Sequence, residues 1–166
     1  MIRPALLLFS LAAALPAQLA SVSIFGTGCS FVGQQLSIGV QGLPQLGTSV
    51  TFTYTGPNQI GTLTVQPVLV LGLGTLNVPL PPTLLPQQPP NCTAWITPDV
   101  LNVMPQNPGG PGFVSQVPMG IPASNSLIGF QFAAQWLAIG VQCGIIPPCG
   151  LSAFPTSDAA LLTVGL

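Results

Sequence analysis

Few side chains in this 166-residue chain can do chemistry, because histidine, lysine and glutamate are absent. General acid–base catalysis near neutral pH draws on histidine, lysine or a carboxylate with a tuned pKa. Only Asp99 and Asp158 qualify, and facing each other they would make a two-aspartate hydrolase. Neither sits in an Asp-Thr/Ser-Gly setting, since Val100 follows one and Ala159 the other. Pro98-Asp99 and Ser157-Asp158 read instead as turn residues whose carboxylates accept backbone N–H bonds. The many serines lack a histidine or lysine to activate them. The sequence therefore assigns no catalytic residue.

Metal and ligand chemistry is equally thin. Asp99 and Asp158 are weak calcium candidates, because no ligand-dense loop of the EF-hand kind surrounds either. No cofactor is expected. Trp95 and Trp136 are the candidate ligand contacts, able to form a sugar platform if exposed, although a buried tryptophan on a core strand is the commoner outcome. Asn91-Cys92-Thr93 matches the glycosylation acceptor pattern with a cysteine in its centre.

Cys29, Cys92, Cys143 and Cys149 form an even set, and two disulfides are the expectation for an exported chain. Four cysteines allow three connectivities. Cys143 and Cys149 flank a turn-rich Gly144–Pro148 loop, so pairing them is the local solution and leaves Cys29 for Cys92. Chain entropy assigns about 2 kcal/mol to the small loop and about 4 kcal/mol to the large one. Zinc would need all four thiolates, and the C-x5-C spacing is wider than the usual one.

These residues must be positioned by short strands. Gly (19 residues) and Pro (20 residues) punctuate runs of Val, Ile, Thr and Phe. Inside a helix they cost roughly 1 and 3 kcal/mol each, so the chain reads as all-β. Leu36, Ile38 and Val40 alternate with polar or small residues, as do Val50, Phe52 and Tyr54, which is the period of a half-buried strand. Leu63–Leu71 is a longer apolar run in which Pro67 requires an edge position or a bulge. Pro79–Pro90 reads as an extended surface loop, and Cys92–Ile96 as the strand after it. Ile128–Trp136 is the longest candidate and is expected to be central, with Phe132, Ala134 and Trp136 on one face and Gln131 and Gln135 on the other. Ser21–Phe25, Leu76–Leu80, Val100–Met104, Phe113–Val117 and Ala159–Val164 complete a set of about eight to ten short strands. That set predicts one antiparallel β-sandwich or jelly-roll-like domain over residues 21–166.

Charged residues make up 2% of the chain, namely Arg3, Asp99 and Asp158, against roughly 25% in soluble domains. A nucleic-acid partner needs a cationic stripe, and none exists. Residues 1–20 carry Arg3, an apolar run from Ala5 to Leu15, Pro16 and small residues, the order of a secretory signal. Cleavage after Ala17 or after Ala20 fits equally. The apolar run is shorter than a bilayer span, and no membrane span follows, so the reading is a secreted or cell-surface protein.

The order of several landmarks resembles a β-rich domain that recurs in secreted proteins of planctomycete-like bacteria. The matching pieces are Gly26-Thr27-Gly28-Cys29, Leu43–Gly47 leading into Val50–Tyr54, Cys92–Asp99, and Val117–Pro122 leading through Leu127-Ile128-Gly129 to Gln135. Trp95 stands where that domain is expected to have tyrosine, and the Cys143/Cys149 loop is additional. The resemblance implies an exported β-rich fold in which the first and middle cysteines are partners, and it brings no catalytic residue. Together these readings predict a non-catalytic structural or interaction module, self-associating or binding a glycan or surface partner.

Overall fold

The computed structural model describes residues 18–57, 59–60, 63–103, 115–142 and 149–166. The strand expectations for Met104, Phe113 and Val114, like Cys143 and the leader before Gln18, fall outside them. Among the described residues there are fourteen β segments, three only two residues long. The first eight are β1 (Ser21–Phe25), β2 (Ser30–Phe31), β3 (Gln34–Gln35), β4 (Ser37–Gln41), β5 (Ser49–Thr55), β6 (Gln59–Ile60), β7 (Leu63–Gly72) and β8 (Thr75–Pro79). Then come β9 (Thr93–Ile96), β10 (Val100–Val103), β11 (Ser115–Gly120), β12 (Gln131–Gln142), β13 (Gly150–Ala153) and β14 (Thr156–Thr163). A single 3-10 turn, Asn125–Leu127, is the sole helical element described.

The strands form an antiparallel β-sandwich. A large sheet runs β1-β14-β12-β7-β10, with β13 beside β12 and β6 beside β7, and a small sheet runs β11-β5-β4. Their facing sides share one core, in which Val50, Phe52 and Tyr54 meet Leu69, Trp136 and Leu162. Trp136 is fully buried. Its indole N–H donates across the layers to Thr53 O at 3.0 Å, and its ring meets Tyr54 edge-on at 5.7 Å. Burial raises the Tyr54 phenol pKa, and its hydroxyl donates to Pro57 O at 2.9 Å.

The longest strand is central, as its apolar face predicts. Its start differs from the sequence reading, because Gly129 has φ of 83° and breaks the extended run before Gln131. Pro67 lies deep in β7 yet needs no donor toward the far side. β6 pairs there with residues 63 and 64 and β10 with residues 69 and 71, leaving Pro67 in a gap between them. The edge requirement is therefore met locally, inside a buried strand.

Pro79 ends β8, and beyond it the segment to Pro90 is not extended. It runs as successive turns and docks at its end. There Gln88 Nε2 donates to Phe154 O (3.1 Å) and Gln88 Oε1 accepts Phe154 N–H (2.7 Å). Proline supplies no backbone donor, so the bonds fall to the residues between the prolines: Leu80 N–H donates to Cys92 O at 2.7 Å and Gln87 N–H to Ser152 O at 2.9 Å, with the Gln88 amide beside them.

Gly28 shows how closely the backbone is stacked near β14. A Cβ there would lie 1.7 Å from Leu36 O, so no side chain fits without moving main chain. Gly120 faces open space. Gly28→Ala is expected to cost about 3 kcal/mol, the upper end of the usual overpacking range. Gly120→Ala should stay within about 0.5 kcal/mol, typical of unconstrained surface sites. Urea midpoints of the two variants measure the difference.

Candidate functional site

The stretch Cys92–Asp99 carries most of the chain's unusual residues, and the structure lays it over the outer face of the large sheet. β9 pairs with β8, forming a two-stranded ribbon separate from both sheets. The Leu76–Leu80 segment thus pairs with β9 and does not return to β7. Ile96 and Trp95 cover Ala133, Ala159 and Phe25 in a second, smaller apolar cluster. The face that alternation marks as polar is therefore buried at its centre.

Gln135 makes this possible. It is 4% exposed, and its amide is held on three sides. Nε2 donates to Thr93 O at 3.0 Å and to Ser157 O at 2.7 Å, while Oε1 accepts Trp95 N–H at 3.0 Å. A buried amide is tolerated when its hydrogen bonds are made. One side chain thereby joins β12, β14 and the ribbon. The strand ladder between β12 and β14 shifts register at Trp136, whose N–H goes to Ser157 Oγ at 3.0 Å.

The ribbon's leading end is stapled by the disulfide Cys29–Cys92, with Cα atoms 4.8 Å apart and a sequence separation of 63. This is the pairing that the resemblance implies. Cys29 N–H donates to Thr156 O at 2.8 Å, and Thr156 Oγ1 donates to Thr93 O at 3.0 Å. Staple and ribbon thus share β14 as their base. Cys149 is disulfide-bonded; the expected partner, Cys143, lies outside the described residues.

The two tryptophans diverge. Trp136 is sealed in the core. Trp95 is half-buried, with its indole N–H donating to Thr27 O at 3.1 Å. A Cβ on Gly26 would lie 2.5 Å from the Trp95 ring, so the indole rests directly on the glycine. That contact gives Gly26 of the Gly-Thr-Gly-Cys run a physical reason.

The two carboxylates are each taken up by backbone on different elements. Asp99 is exposed, and its Oδ2 accepts Leu73 N–H at 2.8 Å and the Thr97 hydroxyl. Those bonds, Thr97's first, lower its pKa. Asp158 lies on β14, within a strand and not in the expected turn. It is half-buried, and Oδ1 accepts Ile38 N–H at 2.7 Å. Ile38 belongs to β4, the edge of the small sheet, so this carboxylate stitches the seam between the layers. Burial raises the Asp158 pKa, and the Ile38 bond partly offsets that. Among the described residues no cluster of three metal-ligating side chains occurs.

Two apolar clefts flank these features. One, about 370 Å³, lies between the ribbon and the large sheet, lined by Val70, Leu76, Val78, Leu84, Leu137 and Phe154 among others. The other, about 310 Å³, opens at the end of the core between Leu71, Val100, Met119, Ile121, Phe130 and Phe132. What such walls offer is apolar contact. The protein is thus a disulfide-stapled β-sandwich whose distinctive part is a ribbon clamped to its outer face. No family model, curated protein or solved structure matches it.

Sequence reading missed Gln135, Gln88 and the seam role of Asp158. The available signal for Gln135 was its place between Ala134 and Trp136, in the middle of the longest apolar strand, where Gln131 and Gln142 stand at the ends.

Asp158→Ala leaves Ile38 N–H without its acceptor and is expected to cost about 1–3 kcal/mol. Asp158→Asn keeps an acceptor and sheds a desolvated charge, so it should cost far less at pH 7. The native carboxyl has a raised folded pKa. It therefore weakens the fold while ionised, and wild type regains that stability as pH falls through the folded pKa to below the ordinary 3.8. Asp158→Asn lacks this acid-side gain, and urea unfolding across pH 3–7 reads both effects.

Proposed function

We propose that this chain is exported and acts without catalysis, as a structural or interaction module at the cell exterior that associates with its own copies. The observation that carries this reading is the surface. Ile24, Leu73, Val78, Leu84, Val100 and Phe130 are exposed, and the chain's charges beyond the leader are two carboxylates. Low charge with exposed apolar side chains favours association. The engagement of both aspartates by backbone N–H groups supports a non-catalytic role.

Export is supported by the leader-like order of residues 1–20 and by the Cys29–Cys92 bond, since disulfides persist in oxidising compartments. Gln18–Ala20 are knitted into the fold. Gln18 O accepts Leu166 N–H at 3.2 Å. A Cβ on Gly129 would meet the Gln18 amide, and one on Gly165 the backbone of residues 18–20. Cleavage after Ala17 keeps these contacts, and cleavage after Ala20 removes them. Glycan binding has less behind it, because the Trp95 indole N–H is engaged by Thr27 and the ring rests on Gly26.

Intact-mass analysis of the exported protein should find Gln18 at the N-terminus; a chain starting at Ser21 would overturn that assignment. Sedimentation of the purified protein should show concentration-dependent association that is nearly unchanged between low salt and ~1 M, where screening shrinks to about 3 Å. Monomers at every concentration would sink the self-association reading.

A further inference from the structure

β1 ends the large sheet, and among the described residues its strand partner is β14 alone. Among the described residues no other backbone or side-chain hydrogen bond reaches Ser21–Phe25. Natural edge strands are blunted with lysine, proline, bulges or inward charges. Ser-Val-Ser-Ile-Phe has none of these, and its register with β14 is unbroken over all five residues. Val22 and Ile24 point to the core side, opposite Leu162 and Ala160, both fully buried. Ile24 is nevertheless 50% exposed. The reason lies in the seam: the small sheet ends at β4, whose Ile38 N–H is held by Asp158 on β14, so β1 overhangs the smaller layer.

We propose that β1 is the interface through which two copies of this chain associate, by antiparallel pairing of β1 with β1 of a second copy about a two-fold axis at Ser23. The inference rests on the self-association reading and names its surface. The register is self-complementary: Ser23 faces Ser23, Val22 faces Ile24, and Ser21 faces Phe25. Paired residues in this register are both odd or both even, so their outward N–H and C=O groups lie on the same side and meet their counterparts. Each exposed Ile24 gains an apolar neighbour on the core side, the kind of cross-strand pair that stabilises sheets. The partner need not be charged, and neither copy carries a charge on the strand to repel it. Self-matching of one patch is the signature of a two-fold interface. Five residues a side make a small contact, so association is weak and rises with concentration.

The test compares sedimentation of wild type, Ile24→Lys and Ser23→Cys, each as the exported full chain. Association of wild type with monomeric Ile24→Lys of unchanged circular dichroism is the expected result. Ser23→Cys bears on the same point without disturbing the apolar face. Opposed Cα atoms in an antiparallel pair are about 4.5–5.5 Å apart, within disulfide reach, so oxidation should yield a covalent dimer, whereas Gln34→Cys on the β2–β3 ribbon should not. If wild type associates while Ile24→Lys does so equally and Ser23→Cys gives no crosslink, the β1 interface is wrong and self-association stands. If wild type stays monomeric, both fall.

Discussion

The Gln135 side-chain amide holds this structure in the form it has. Its bonds to Thr93, Ser157 and Trp95 fix the ribbon's place on the large sheet, beside the Thr156–Thr93 bond and the packing of Ile96 and Trp95. A glutamine buried without partners costs free energy, and one with three partners joins three elements. The disulfide acts on the same joint from the side, holding Cys92 to the loop after β1 and limiting how far the ribbon departs in the unfolded chain. Outer-face burial thus comes from a few placed polar groups and a covalent staple, with Ile96 and Trp95 filling the space they enclose.

The same economy of charge runs through the sandwich. Ordinary domains have ion pairs to spare; this one has two carboxylates, and both accept backbone N–H bonds. Asp158 joins β4 to β14 and tolerates partial burial at the cost of a raised pKa. Asp99 closes the turn by Leu73 in the open, where its ionised form is favoured. Neutral amides do the work that lysine and glutamate do elsewhere, as Gln88 does for the turn-rich segment before Cys92. A molecule built this way meets its surroundings through backbone edges, amides and apolar side chains.

Much of the fold was legible because period-two alternation and Gly/Pro punctuation are local signals. Val50–Tyr54 and Leu36–Val40 read correctly on that basis, and the strand through Trp136 in its place but not its ends, since alternation predicts Ile128–Trp136 and the strand runs Gln131–Gln142. Pro79–Pro90 did not, because its docking depends on Gln87 and Gln88 meeting residues 152 and 154, far along the chain. Asp158 looked like a turn residue because Ser-Asp is common in turns; its β14 neighbours on either side outweighed that preference. Alternation placed Gln135 on the face opposite Trp136, which it occupies, but alternation says nothing about what covers a face.

From composition and spacing alone follow the all-β class, the absence of a cationic surface and the scarcity of acid–base groups, since these depend only on which residues are present and at what period. Which tryptophan is sealed and which half-exposed, which glutamine is a clamp, and where each aspartate finds its donor were settled by tertiary contact. Hydrogen bonds between residues twenty to more than a hundred positions apart leave no local trace, and neither does the order of strands that puts β1 at the end of the large sheet.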